Sequence, residues 1–210
     1  MSKQSPAAKD LPLSLIERKQ RAARGRIIEA ADTLFAERGF NSVSVTDIAE
    51  RAEVGRTTFF RHFADKTEVV FAKEQAMFDT ITDAKSDRWT PVQSVDTLTG
   101  AVSALEPLVL RLCMQATADA VAYQRHVRLV DAHEELRARE AVKHQYIANE
   151  FAEVLRRQDA PLDVATIAAQ LAVACYSSGR ILATDPSNLI TKTRNAFRST
   201  LAIRSAEAEG

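Results

Sequence analysis

The chain has 210 residues, 46% of them hydrophobic and 27% charged, with 28 basic side chains against 28 acidic ones. That length holds one medium domain or a small domain attached to a larger one, and no run approaches the roughly 18 to 20 consecutive apolar residues a membrane-spanning helix needs. The first twenty residues also lack the apolar core of a secretory signal, so a soluble, cytoplasmic protein is expected.

The zero net charge is unevenly spread. Residues 1–66 carry 12 Lys and Arg against 9 Asp and Glu, and the remainder 16 against 19. The sharpest cluster is Arg18, Lys19, Arg21, Arg24 and Arg26, with no acid between them. Such a cluster suits either a polyanion partner or a solvated helix face.

Residues 1–13, with two prolines and no apolar period, read as a flexible arm. Ser14 followed by Glu17 fits a capping box and predicts a helix over 15–38, with Ile27, Ile28, Ala31, Leu34 and Phe35 on one face and Gly39 as a left-handed stop. Ser44 with Asp47 repeats the capping box, and Val43 with Ile48 forms a hydrophobic staple. That second helix runs through Ala49 and Ala52, small enough to let another helix cross closely. After Glu53, Val54 and Gly55, a short helix carries Arg56 to Phe63. Phe59 and Phe63, four apart, face inward; Arg56, Thr57, Phe60 and Arg61 face outward, with Thr58 and His62 on the flanks.

Asp65 with Glu68 offers another cap, and apolar spacing from Lys66 through Ile81 predicts a helix ending before the Trp89-Thr90-Pro91 loop. Further helices are predicted near 94–105, 107–119, 121–131, 134–158, 163–183 and 187–204, with Pro107, Pro161 and Pro186 marking starts or breaks. No strand alternation, repeat or low-complexity tract occurs. The fold class is all-α: an N-terminal three-helix helix-turn-helix domain (14–66) followed by a helical bundle (67–210).

Residues 44–63 carry the chemistry. A helix in the major groove needs outward donors for guanine edges and phosphates, held by a neighbouring helix. Arg56, at the helix start, is placed for bidentate contact with guanine. Thr57 and Thr58 suit a phosphate or a thymine methyl, Phe60 a sugar or methyl, and Arg61, His62 and Lys66 phosphates. The amide-bearing helix starts after Ser44 and Asp65 are further phosphate sites.

The stretch LFAERGFNSVSVTDIAERAEVGRTTFFRHFADKTEVV resembles the DNA-binding segment of the TetR family of transcriptional regulators. The likeness covers residues 24 to about 72, with Phe35, Gly39, Phe40, Ile48, Ala49, Ala52, Val54, Thr58, Phe59, Phe63 and Lys66 at the family's characteristic positions. It implies a regulator, most simply a repressor, released from a palindromic double-stranded operator by a small-molecule effector; an activator or effector-independent regulator of the same fold is the alternative. Three positions depart from the pattern. Glu53 replaces the usual turn Gly, at about 1 kcal/mol if the backbone is left-handed. Gly55 replaces a Ser or Thr cap, and Phe60 replaces Tyr and lacks its hydroxyl. By position, the resemblance gives Arg18, Arg21 and Arg24 a place along phosphates or in the minor groove.

The resemblance further implies a homodimer through the last two helices, and AAQLAVACYSSGRILA, apolar over most of its circumference, agrees. A partly hydrophobic effector would lie among the preceding helices, where Phe78, Trp89, Leu108, Leu112, Met114, Tyr123, His126, His144, Ile147 and Phe151 are candidates. No nucleophile motif, glycine-rich phosphate loop or HExxH-type site occurs, so a helical enzyme or carrier is a remote alternative and no cofactor is expected. His126, His133 and His144 have no metal spacing. Cys113 and Cys175, each in an apolar helical pattern, fit small buried hydrophobes, with a redox pair as the alternative.

Overall fold

The computed structural model describes residues 14–72, 80–82, 84 and 94–202, and every regular element among them is helical. The chain divides into two compact units, 1–72 and 73–210. None of the helices among the described residues is long and apolar enough to cross a membrane.

The first unit holds α1 (Leu15–Arg38), α2 (Val45–Arg51), α3 (Arg56–His62) and α4 (Lys66–Val70). Both expected capping boxes are present: Ser14 accepts from the Glu17 amide while Glu17 accepts from that of Ser14, and Ser44 and Asp47 repeat the exchange. Gly39 ends α1 at φ 78°, ψ 154°. That is an extended, positive-φ conformation reserved for glycine rather than the left-handed helical stop the sequence suggests. Ile27, Ala31 and Leu34 of α1, Phe40, Val43, Ile48 and Phe59 are at most 2% exposed and form one core.

α4 stops at Val70; of the rest of the helix predicted from Lys66 through Ile81, residues 73–79 lie outside the described residues and 80–82 are helical. Val69, Val70, Phe71 and Ala72 are all buried. Four consecutive residues cover most of a helix circumference, so one amphipathic helix cannot hide them all. The Phe71 amide instead bonds to the Glu68 carbonyl and closes the turn. α4 packs on α1, so the first unit extends to Ala72, beyond the boundary at 66 expected from sequence.

The second unit holds α5 (Leu98–Ala116), α6 (Ala120–Ala132), α7 (Glu134–Arg156), α8 (Leu162–Leu182), a 3-10 turn (Pro186–Asn188) and α9 (Leu189–Ala202). α8 is the hub, packing against α5, α7 and α9. It does so through small buried residues, Ala165, Ala168, Ala169, Ala172, Cys175 and Gly179, which let three neighbours approach. α5 runs unbroken through Pro107, where the sequence predicts a break. Pro107 is exposed, while Leu105, Leu108 and Val109 are at most 2% exposed and lie on both sides of it. Burying each is worth roughly 1.5–3 kcal/mol, which together outweighs the roughly 3 kcal/mol proline penalty. Cys113 and Cys175 are free, buried thiols. Each meets a hydroxyl of α9, Cys113 at Thr193 (3.8 Å) and Cys175 at Thr200 (3.4 Å).

Candidate nucleic-acid interface

α3 is seven residues long and owes its placement to its buried face. Phe59 and Phe63, 0% and 2% exposed, sit with ring centroids 5.9 Å apart. Phe60 points the other way, 49% exposed, with its ring edge-on to Phe59 at 5.5 Å. Arg56, Thr57 and Arg61 are exposed beside it, and Thr58 is half-buried. The Arg56 guanidinium lies 5.9 Å from the Phe60 ring centre, one turn on, so arginine and aromatic form a joint outer surface. Gly55 caps the helix without a side-chain hydrogen bond.

The turn that aims α3 is a Schellman motif. The Val54 amide donates to the Ala49 carbonyl and that of Glu53 to Glu50, leaving Glu53 in the left-handed position at φ 53°. α7 ends likewise, with Asp159 at φ 63° and the Ala160 amide on the Leu155 carbonyl. A left-handed non-glycine residue costs about 1–2 kcal/mol, less the entropy a glycine loses on folding. Glu53→Gly should therefore raise the stability of the first unit by about 1 kcal/mol with no change in preferred DNA sequence. Chemical denaturation followed by far-UV circular dichroism checks this, and an unchanged or lower midpoint counts against strain at Glu53.

The basic cluster on α1 splits into two parts. Arg18, Lys19 and Arg21 are exposed on the capped N-terminal half of the helix. Arg24 is half-buried: its guanidinium stacks 4.9 Å from the Phe63 ring centre and donates to the Ala72 carbonyl at 3.4 Å. Arg26 donates Nε–H to the Ala52 carbonyl at 3.0 Å and ties α1 to the end of α2. Residues 15–26 are helical, and a helix about 10–12 Å across does not enter a minor groove about 6 Å wide. Arg18 and Arg21 thus stand exposed on a helical surface, while Arg24 is chiefly a structural link.

Ser44 and Lys66 have duties inside the fold. The Ser44 hydroxyl accepts from the Asp47 amide and donates to the Asp47 carboxylate, so it is a cap whose proton is engaged rather than a phosphate donor. Those hydrogen bonds hold the Asp47 carboxyl below its ordinary range, which places a negative charge at the start of α2. At the start of α4, Asp65 accepts from the Glu68 amide and Glu68 from that of Ala64. Both helix starts read as phosphate sites from sequence are thus occupied by the chain's own carboxylates. The Lys66 ammonium donates to the Phe40 and Val43 carbonyls at 2.8 and 3.0 Å and lies 4.3 Å from the Phe40 ring centre. It locks the loop before α2, and one proton remains for a phosphate. His62 is half-buried, and burial, then the charges of Arg24 and Arg61, lower its pKa from the usual 6.5. At neutral pH it offers a single N–H and no charge.

In the second unit Leu108, Leu112 and Phe151 are core residues, with Ile147 and Tyr123 packed against them. His126 is half-buried, and His144 stacks edge-on against Tyr176 at 5.7 Å. Met114 is 55% exposed, which removes it from any interior lining; it lies off the buried Leu105, Leu108, Leu112 stripe of α5. Phe78 and Trp89 lie outside the described residues. Among those described, no group of three or more His, Cys, Asp or Glu is arranged to hold a metal. Sequence reasoning missed Arg180, which links three helices; its partners lie 40 and 49 residues away, beyond any local signal.

A short helix with a cationic and aromatic outer face, anchored by two phenylalanines and aimed by a tight turn from a capped partner helix, defines a helix-turn-helix domain, here followed by an all-helical unit. Residues 27–72 match the profile of the bacterial regulatory proteins of the tetR family. It is 35% identical over 91 residues to the transcriptional regulator TcmR of Streptomyces glaucescens, 43% of this chain and 40% of that one. It is 32% identical over 89 residues to the repressor KstR of Mycolicibacterium smegmatis, 40% of this chain and 43% of that one. The alignments thus span about two fifths of the length of these curated relatives. The fold is shared with SmeT in its triclosan complex, at a TM-score of 0.57 and 19% identity, covering 87% of this chain and 91% of that one.

Proposed function

We propose that this protein is a dimeric transcriptional repressor that binds a palindromic double-stranded operator and leaves it when a small-molecule effector occupies the second unit. It has no catalytic role, and it acts in the cytoplasm, where the operator is. The observation that carries the reading is α3 itself. Its outward Arg56, Thr57, Phe60 and Arg61 have no part in the core, while the residues between and beyond them, Phe59 and Phe63, are fully committed to it. Arg56 reads a guanine edge; Thr57, Thr58, Arg61, His62, Arg18 and Arg21 hold the backbone.

Dimerisation falls to α8 and α9. On α8, Ile167, Ala174 and Ile181 recur every seven residues along one exposed face, with Ile167 at 50% and Ile181 at 78%, an apolar stripe that a second copy covers. A twofold dimer sets two α3 helices against half-sites one helical turn or a small multiple apart. The effector acts by population shift: it binds better to the arrangement in which the two α3 helices cannot enter successive major grooves together, and DNA affinity falls by that preference.

The test is footprinting of the DNA flanking the gene, then fluorescence anisotropy on the protected site. Arg56→Ala should cost about 1–3 kcal/mol on that site and relax its sequence preference, whereas Arg61→Ala should weaken all DNA alike and lower the salt slope by about one. Loss of affinity on Arg56→Ala with an unchanged ratio of specific to non-specific binding rules out base reading by this residue.

A further inference from the structure

The outer face of α3 carries an aromatic ring that the core does not use. Phe35, Phe40, Phe59, Phe63 and Phe71 are at most 7% exposed, whereas Phe60 keeps 49% of its surface in water. It stands among exposed polar side chains, with Arg56 one helical turn before it, Thr57 beside that turn and Arg61 next in the chain. Its position is fixed from beneath: the ring lies edge-on to the buried Phe59, at 5.5 Å and an interplanar angle of 83°. From the other side the Arg56 guanidinium lies 5.9 Å from the same ring centre. A guanidinium resting against an aromatic ring gives up part of its rotamer freedom, so arginine and ring are presented together in a set arrangement.

The chemistry of the groove narrows what that ring meets. A phenyl group has no hydrogen-bonding atom, so it gains little from phosphate oxygens or from the polar atoms of the base edges. The major groove offers one apolar group, the C5-methyl of thymine. Sugars line the backbone, away from the base edges that Arg56 addresses. The ring centre is 5.9 Å from the guanidinium and base pairs are about 3.4 Å apart, so a methyl in reach of the ring belongs to a base pair within about two steps of the guanine. We infer that Phe60 is a specificity-determining residue, which reads the C5-methyl of a thymine within about two base pairs of the guanine bound by Arg56. The inference rests on the proposal that α3 enters the major groove with Arg56 on a guanine.

The test uses the full chain and its footprinted operator, with fluorescence anisotropy on duplexes altered one base at a time. 7-Deazaguanine, which lacks the N7 acceptor, locates the guanine as the position where the parent loses affinity and Arg56→Ala does not. Deoxyuridine in place of each thymidine then removes a methyl group and nothing else. At one thymine within about two base pairs of that guanine the change should weaken parent binding about fourfold per half-site, the worth of one buried methyl group. Phe60→Ala should bind the thymine and uracil duplexes equally, with the affinity the parent has for the uracil duplex. A variant that merely loosened the fold would weaken both and keep their ratio. Uracil sensitivity at no thymine in that window, sensitivity that survives Phe60→Ala, or loss of all binding by that variant overturns the assignment and leaves the guanine contact standing. A parent indifferent to 7-deazaguanine at every position overturns the guanine contact and the inference together.

Discussion

Phe59→Ala is expected to unfold most of the first unit and abolish DNA binding while leaving the thermal transition of the second unit in place. Phe59 is 0% exposed and lies between Phe60 and Phe63 at 5.5 and 5.9 Å. Truncating a buried phenylalanine costs about 3–5 kcal/mol, part lost transfer energy and part the cavity left behind. A unit of this size buries little surface and has a stability of only about 5 kcal/mol or slightly more, so that loss consumes most of it. The matched control is Phe60→Ala, one residue on and 49% exposed, which should stay within about 0.5 kcal/mol of the parent. Calorimetry of both variants decides the matter. Equal destabilisation would mean that α3 is oriented the other way and that the proposed reading face is a packing face.

Gly179→Ala is expected to lower the melting temperature of the second unit by roughly 5–10 °C. A Cβ at this position of α8 would sit 2.1 Å from the Thr193 hydroxyl and 2.8 Å from the Thr193 Cα and backbone nitrogen. The hydroxyl can rotate away, at the expense of its contact with Cys113; the backbone atoms cannot, so α8 and α9 must move apart. Overpacking of this kind costs about 1–3 kcal/mol and sometimes more, and each kcal/mol shifts the midpoint by roughly 2–4 °C in a domain of this length. If these two helices also form the dimer face, the variant should dissociate at higher protein concentration, which analytical ultracentrifugation reads. A melting temperature within about 2 °C of the parent, the worth of 1 kcal/mol or less, would show that the α8–α9 approach is looser than 2.1 Å implies.

The first unit was legible in the sequence wherever the controlling interaction is local. Ser14 with Glu17, and Ser44 with Asp47, are three residues apart and form the capping boxes their spacing predicts. Phe59 and Phe63 turn inward as their four-residue spacing requires, and Glu53 adopts the left-handed turn at the position where the family resemblance places glycine. In each case the partners lie within one helical turn, so a linear reading already contains the geometry.

Other features depended on contacts that a linear reading does not contain. Lys66 reaches carbonyls 23 and 26 residues back, Arg24 one 48 residues ahead, and Arg180 carboxylates 40 and 49 residues back. In the sequence, Lys66 and Arg24 read as DNA-facing cations and Arg180 has no role. Pro107 reads as a break because its local penalty is visible and the burial on either side of it is not. Met114 reads as lining because apolar character says nothing about which of several helices it faces. The sequence by itself determined the helical class, the caps, the turn and the inward and outward sides of the reading helix, because those follow from bonds and contacts within a few residues. Only the tertiary structure decided which basic side chains are engaged inside the fold, where α4 stops and which polar groups the second unit buries, because those depend on packing between segments that are distant in the chain.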